Sequence, residues 1–296
     1  MTDVKPTVAV LGVGRMGGAM ARRFHEAGNE LVLWNRDRAK AEAVAADTGA
    51  DIVAHPAEAA ASADRIVSSL ADDEAVRDVY LGDDGVVAGI ESGAIAVDTS
   101  TVAPATVQEV GDAVDAAGAA FLDCPVSGSV STVESGALVM MAGGDADLLP
   151  EVEGLFSSIA KQIVHVGGRG AGAACKLAVN GLVHGLNLAL SEALVLAEKA
   201  GVDRKAAYEV FSNGAGGAPF VHYKREAFEQ PEDAVVAFTL DLVAKDLELI
   251  TGLASQVGAH MDQARAGMEI VRSAVDAGMG DRDMSALAVY LRGEDA

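Results

Sequence analysis

The chain predicts an α/β domain with a doubly wound parallel sheet, followed by an all-helical domain. Short Val/Ile/Ala runs alternate with Ala/Glu/Arg-rich helical segments in the first half, a glycine-rich turn follows the first run, and from a glycine break near residue 167 every segment carries a helical pattern. The 296 residues suit two ordinary domains, divided here as 1–166 and 167–296.

The expected strands are Thr7–Leu11, Glu30–Trp34, Arg65–Leu70, Ala94–Asp98 and Ala120–Asp123, then Leu138–Ala142 and Ile163–Val166. Unbroken apolar runs of this kind are what a sheet covered on both faces requires. The "GGRGAGA" stretch at 167–173 ends the alternation, and the helices Asp203–Ser212, Thr239–Gln256 and Met261–Asp276 follow an apolar helix running from about Gly170 to Gly201.

Composition narrows the possible partners. Hydrophobic residues make up 50% and aromatics 4%, so the core is built from Ala, Val and Leu. A net charge of −22 repels phosphate backbones and anionic lipid heads, which disfavours nucleic acid and membrane surfaces and fits a high-salt or acidic-proteome cytosol. Cys124 and Cys175 are too few for a disulfide framework and are expected to be reduced. "MTDVKPTVAVLGVG" lacks the regions of a signal peptide, and no run of ~18 apolar residues is free of a polar break. The location expected from these features is the cytoplasm.

"VAVLGVGRMGGAMARRFHEAG" places Gly12, Gly14 and Gly17 as G-x-G-x-x-G between a strand and a helix. In that context Gly12 permits the tight turn, Gly14 lets a pyrophosphate approach the backbone, and Gly17 lets helix and strand pack, as in a Rossmann-type domain. The second strand ends in Asn35-Arg36, where NAD sites place a carboxylate for the ribose hydroxyl. Losing that carboxylate and gaining a guanidinium favours NADP(H) over NAD(H), with NAD(H) still possible; the other reading of Arg36 is a solvated surface charge.

In "CKLAVNGLVHGLNLALS" Lys176 is the one charge in an apolar helix, and Lys176, Asn180, His184, Asn187 and Ser191 form a polar stripe. Desolvation would draw the lysine toward neutrality and make it a proton donor and acceptor, with Asn180 one turn on to orient it. Alternatively the lysine extends to solvent at the helix start. His184, Asn187 and Ser191 are expected to be hydrogen-bonded core or interface groups. No metal site is expected.

Four blocks in order, "VLGVGRMGGAMA", "FLDCPVSGSVSTVESGALVMMAGG", "GAGAACKLAVN" and "FTLDLVAKDLELI", cover essentially the whole chain and resemble the β-hydroxyacid dehydrogenases of the 3-hydroxyisobutyrate dehydrogenase and glyoxylate/succinic semialdehyde reductase group. The resemblance implies hydride transfer between NADP(H) and a small 3-hydroxy acid or semialdehyde. It implies Lys176 as acid/base with Asn180 assisting; Ser127, Gly128 and Ser129 on the substrate carboxylate; Arg15 and Met16 beside the glycines on the cofactor; Leu70, Ala71 and Thr101 along it; and Lys245 closing over it, with Asp246 behind. It also implies a homodimer or homotetramer.

Departures from the family pattern are Leu70-Ala71 for the frequent Leu-Pro, Val179-Asn180 for Asn-Asn, and Ser127-Gly128-Ser129 for Ser-Gly-Gly. The last, with Asn35-Arg36, looks more like the NADPH-dependent semialdehyde reductases. Methylmalonate semialdehyde, succinic semialdehyde, glyoxylate and tartronate semialdehyde remain open as substrates, with "SNGAGGAPF" at 212–220 expected to shape the pocket wall. Imine reductases usually carry Asp or Tyr at the position of Lys176, and 6-phosphogluconate dehydrogenases pair their lysine with a His-Asn signature absent here. A non-catalytic NADP-binding module is the alternative of another class.

Overall fold

The computed structural model describes residues 5–293 and divides into two compact units, Met1–Lys176 and Leu177–Ala296. The first four residues of the N-terminal stretch, examined above for a leader, lie outside the described residues.

The first unit is built on nine strands: β1 (Val8–Leu11), β2 (Leu31–Trp34), β3 (Asp51–Ile52), β4 (Arg65–Ser68), β5 (Ile95–Asp98), β6 (Ala120–Asp123), β7 (Val126–Ser127), β8 (Leu138–Gly143) and β9 (Ala160–Gly167). Their order is β3-β2-β1-β4-β5-β6-β8-β7, with β9 on β8. From β3 to β6 all pairings are parallel, and the order reverses direction between β1 and β4, the switch point at which ligands bind in such sheets.

The apolar runs have the physical cause expected of them. Val8 and Val10 enter one buried cluster while Ala9 and Leu11 enter the other, and Ile95 and Val97 part from Ala96 in the same way. Period-two side chains thus fill a core on each face of the sheet. Phe24 packs edge-on against Phe156 in one cluster, and Tyr80 against Phe121 in the other.

The sheet departs from the expected all-parallel form. β8 runs antiparallel to both β6 and β7. The link from β7 to β8 holds only a five-residue helix, Val130–Glu134, too short for a parallel crossover. β3 and β7 were not expected because two residues give no periodicity.

From Ala171 onward the regular elements among the described residues are helices, with no strand. The long helix is Ala171–Lys199. Two of the later helices begin on side-chain caps: Asp203 caps Arg204–Asn213 and Thr239 caps Leu240–Val257. The helix expected over 261–276 is Asp262–Ala274, and its next turn, Val275–Met279, widens into a π-turn at Gly278. Ala171–Lys199 is long and apolar enough to cross a bilayer by length and composition. Its face bearing Leu177, Leu188 and Leu194 is packed in the core of the second unit with Tyr208, Phe228 and Leu247.

Candidate active site

The glycine turn closes on the end of β1. Gly12 sits at φ +87°, and a Cβ there would lie 2.5 Å from the carbonyl oxygen of Ser69 and 2.8 Å from Leu70 Cδ2, so turn and β4 terminus meet with no room for a side chain. Gly17 is buried, and a Cβ on it would collide with the Gly12 carbonyl oxygen, which locks the helix Arg15–Glu26 onto the turn. Gly14, by contrast, is exposed at the N-cap, with open space where its side chain would be. The helix has no side-chain cap and no acidic residue in its first turn. Its N–H groups and positive dipole end therefore present to an anion, which fits a dinucleotide pyrophosphate. Arg15 is exposed and Met16 half-buried in that first turn.

Asn35 accepts a hydrogen bond from the Val13 amide at 3.0 Å and donates to the Asp37 carbonyl at 2.8 Å. It thus ties the β2 terminus to the glycine turn. Arg36 beside it is exposed and, among the described residues, forms no ion pair; its neighbours Arg38 and Lys40 pair with Glu42 and Asp37.

Leu70 and the Thr99–Thr101 segment are joined by a buried network that sequence reasoning missed. The Leu70 amide donates to Ser100 Oγ at 2.9 Å; Ser100 Oγ and Ser68 Oγ donate to Asp98 Oδ1 at 2.7 and 2.6 Å; and Tyr80 Oη lies 2.9 Å from Ser68 Oγ. Burial pushes the Asp98 carboxyl up to about 6 against the opposing pull of the two serine bonds, and it pushes the Tyr80 phenol up as well. Ala71 is exposed and Thr101 half-buried at the ends of these strands.

A second unforeseen carboxylate sets the long helix. Asp123, at the end of β6, accepts the Gly170 and Ala173 amides at 2.9 and 2.8 Å. These are orphan donors of the helix N-terminus, and Lys176 follows one turn later. Burial raises the Asp123 pKa while those backbone donors lower it, with a net rise. Gly172 is required here, since a Cβ would collide with the Asp123 carbonyl oxygen and lie 2.6 Å from that of Met141. The sequence signal for both acids was available: each ends an otherwise apolar strand, as "IAVD" and "AFLD".

Ser127 pairs with Val139 across β7 and β8, and Gly128 turns the chain into the helix that Ser129 caps. Ser129 and Thr132 form a reciprocal capping box, and Ser129 Oγ is 2.8 Å from Ser131 Oγ. The Ser129 hydroxyl is thus already engaged in the turn.

Lys176 is half-buried, and Asn180, one helical turn on, is buried. Within the second unit Asn180 Nδ2 donates to Asp246 Oδ2 at 2.6 Å, His184 Nε2 lies 3.3 Å from that oxygen, and Lys245 Nζ lies 3.3 Å from Asp246 Oδ1. Further along, Asn187 donates to the Met284 carbonyl and Ser191 to that of Asn187, so both are hydrogen-bonded core groups. In the segment 212–220, Ser212 and Phe220 are buried. The glycine turn, the strand ends, Ser127–Ser129 and Lys176 lie in the first unit; Asn180, Lys245 and Asp246 lie in the second.

Residues 7–167 match the family model for the NAD binding domain of 6-phosphogluconate dehydrogenase, and residues 170–291 that for the NAD-binding region of NADP-dependent 3-hydroxyisobutyrate dehydrogenase. Glyoxylate/succinic semialdehyde reductase 2, chloroplastic, of Arabidopsis thaliana is 33% identical over 97% of this chain and 79% of its own length. The Mycobacterium tuberculosis 3-hydroxyisobutyrate dehydrogenase structure with L-serine superposes with a TM-score of 0.86 at 29% identity, covering 97% of this chain and 99% of that one. The structure of Psf3 in complex with NADP+ and 2-OPP gives 0.88 at 25% identity, covering 96% and 99%.

Proposed function

We propose, for a chain that belongs to the β-hydroxyacid dehydrogenase family and is an NAD(P)-dependent oxidoreductase, that it interconverts a short semialdehyde and its 3-hydroxy acid with NADP(H) as the preferred cofactor. The observation that carries the reading is Lys176 followed one turn on by an Asn180 whose amide is gripped by a buried carboxylate. When bound, the nicotinamide supplies or accepts the hydride.

The protein's own residues do the rest. Gly12, Gly14, Arg15, Met16 and Gly17 seat the pyrophosphate, Asn35 and Arg36 meet the adenosine ribose, and Leu70, Ala71 and Thr101 line the nicotinamide side. The turn of Ser127, Gly128 and Ser129 holds the substrate carboxylate and so sets its carbonyl carbon in place. The Lys176 ammonium stabilises negative charge developing on the carbonyl oxygen and delivers the proton; in oxidation the amine takes the hydroxyl proton. Lys245 adds a cation toward the cofactor and substrate, and Asn180 orients the reacting groups.

Arg36 supports the choice of NADP(H), being exposed at the β2 terminus and, among the described residues, in no ion pair. Ser127-Gly128-Ser129 favours a glyoxylate or succinic semialdehyde reductase over a 3-hydroxyisobutyrate dehydrogenase as the finer assignment. Exposed Leu182 and Leu196 on the long helix support a homo-oligomer formed through that face, and two unbridged thiols fit a reducing cytoplasm. The test is NADPH oxidation against a panel of short semialdehydes at several salt concentrations. Turnover is expected in the wild type and absent in Lys176→Ala, which still binds NADPH; near-normal activity in that variant refutes the assignment.

A further inference from the structure

Asp246 is fully buried in the second unit and is approached by three side chains. Asn180 and His184 stand four residues apart on the long helix and so face the same side. Both address the same oxygen, Oδ2, while the Lys245 ammonium addresses the other. His184 is itself buried, with its ring 5.9 Å from that of Phe238 and tilted 34° to it. An imidazole bonded to a carboxylate through Nε2 must carry the proton there, which leaves Nδ1 an acceptor in the neutral ring. Nδ1 meets no hydrogen-bond partner among the described residues. His184 also lines a cavity of about 200 Å³ shared with Asn187, His260, Asp262 and Gln263. The ring is therefore a polar bridge between this cavity and Asp246, in a helix position that an aliphatic side chain would fill if packing were the only demand.

A carboxylate held by one amide can swing about its terminal torsion. Two donors on one oxygen and a cation on the other fix its plane. One N–H of Asn180 is then committed to Asp246, and the amide oxygen and second N–H are left in a defined direction.

We propose that His184 is a positioning residue for the reaction: by sharing Asp246 with Asn180 it fixes the carboxylate, and through it the Asn180 amide and the Lys245 ammonium. This rests on the reading of Lys176 and Asn180 as the catalytic pair. Nothing in the proposal requires His184 to touch substrate or to exchange a proton with it.

The test compares His184→Leu with His184→Gln, whose amide nitrogen reaches the place of the ring Nε2 and whose different shape the adjoining cavity can accommodate. Loss of one hydrogen bond to a charged group should lower kcat in H184L by about tenfold, with KM for NADPH unchanged, and H184Q should recover most of the rate. In parallel, the side-chain amide NMR signals of Asn180, measured without cofactor, should shift in H184L and return in H184Q. Should H184L fail to fold, His184→Asn takes its place, being polar but too short to reach Asp246. Wild-type kcat with unmoved Asn180 signals in the loss variant, or equal damage in H184Q, overturns the proposal. If the wild type reduces no semialdehyde, the catalytic reading has failed on its own account, and the Asn180 signals alone decide whether His184 positions that amide.

Discussion

Asp98→Asn tests the buried network beneath the strand ends. The wild-type carboxyl is raised by burial from 3.8 to about 6. In the unfolded chain it ionises near 3.8, so between that pH and about 6 the folded protein holds a proton the unfolded chain has released. Folded stability therefore falls as pH rises through this window, by roughly 3 kcal/mol in total. Asparagine does not titrate. Its oxygen can still accept the Ser68 and Ser100 hydroxyls, which both bond Oδ1, while its amino group opposes the Ser100 backbone donor at the carboxylate. The absolute stability of the variant at one pH thus mixes two opposed effects, and the difference between variant and wild type across pH isolates the titration. Urea unfolding at several values from pH 4 to 7 should show the variant gaining about 2 kcal/mol on the wild type over that range, the rest of the total lying below pH 4. A difference that stays constant within about 0.5 kcal/mol would refute the assignment of a raised, singly titrating Asp98.

Asp123→Ala should cost about 2–4 kcal/mol in chemical unfolding by orphaning the Gly170 and Ala173 amides, and should lower kcat more than cofactor affinity because Lys176 lies on the freed turn. A variant as stable as wild type would show that the cap is dispensable. Arg36→Ala should weaken NADPH binding by about tenfold or more and leave NADH nearly unchanged in fluorescence titrations; equal losses would show that the guanidinium does not read the 2′-phosphate. Lys224→Met should destabilise the second unit by about 3–5 kcal/mol at pH 7, since Lys224 Nζ lies 2.8 and 2.7 Å from the Asp283 oxygens. Burial alone would raise Asp283, but Lys224 and the Ser285 and Ala237 amides hold it below its ordinary value. The stability it contributes is therefore present above the ordinary carboxylate range and lost as pH falls through the lowered pKa, so the deficit of the variant should narrow in acid; a deficit independent of pH would count against the pair.

Much of the local geometry of the candidate site was legible because its signals lie in adjacent residues. G-x-G-x-x-G between strand and helix is a backbone requirement written into adjacent residues, and the structure gives it a cause in the Gly12 approach to Ser69 and Leu70. The Lys176–Ser191 stripe was legible from helical period alone. The roles of Asp98 and Asp123 were not, although both strand ends were marked. Their partners, Ser68 and Tyr80 in one case and Gly170 and Ala173 in the other, are distant in sequence, and no periodicity joins them.

His184 shows the same division within one residue. Its place on the buried side of the helix follows from spacing, but its link to Asp246 is a pairing between helices that only packing creates. The antiparallel return of β8 is likewise decided by where the chain can turn. Composition and period determined most of the strands and helices, which of their faces are buried and which glycine turn has the form that suits a pyrophosphate, because those properties depend on neighbours within a turn or two of chain. The tertiary structure decided which buried polar groups meet, because a desolvated carboxylate takes its donors from whatever elements the fold packs against it, at any distance along the sequence.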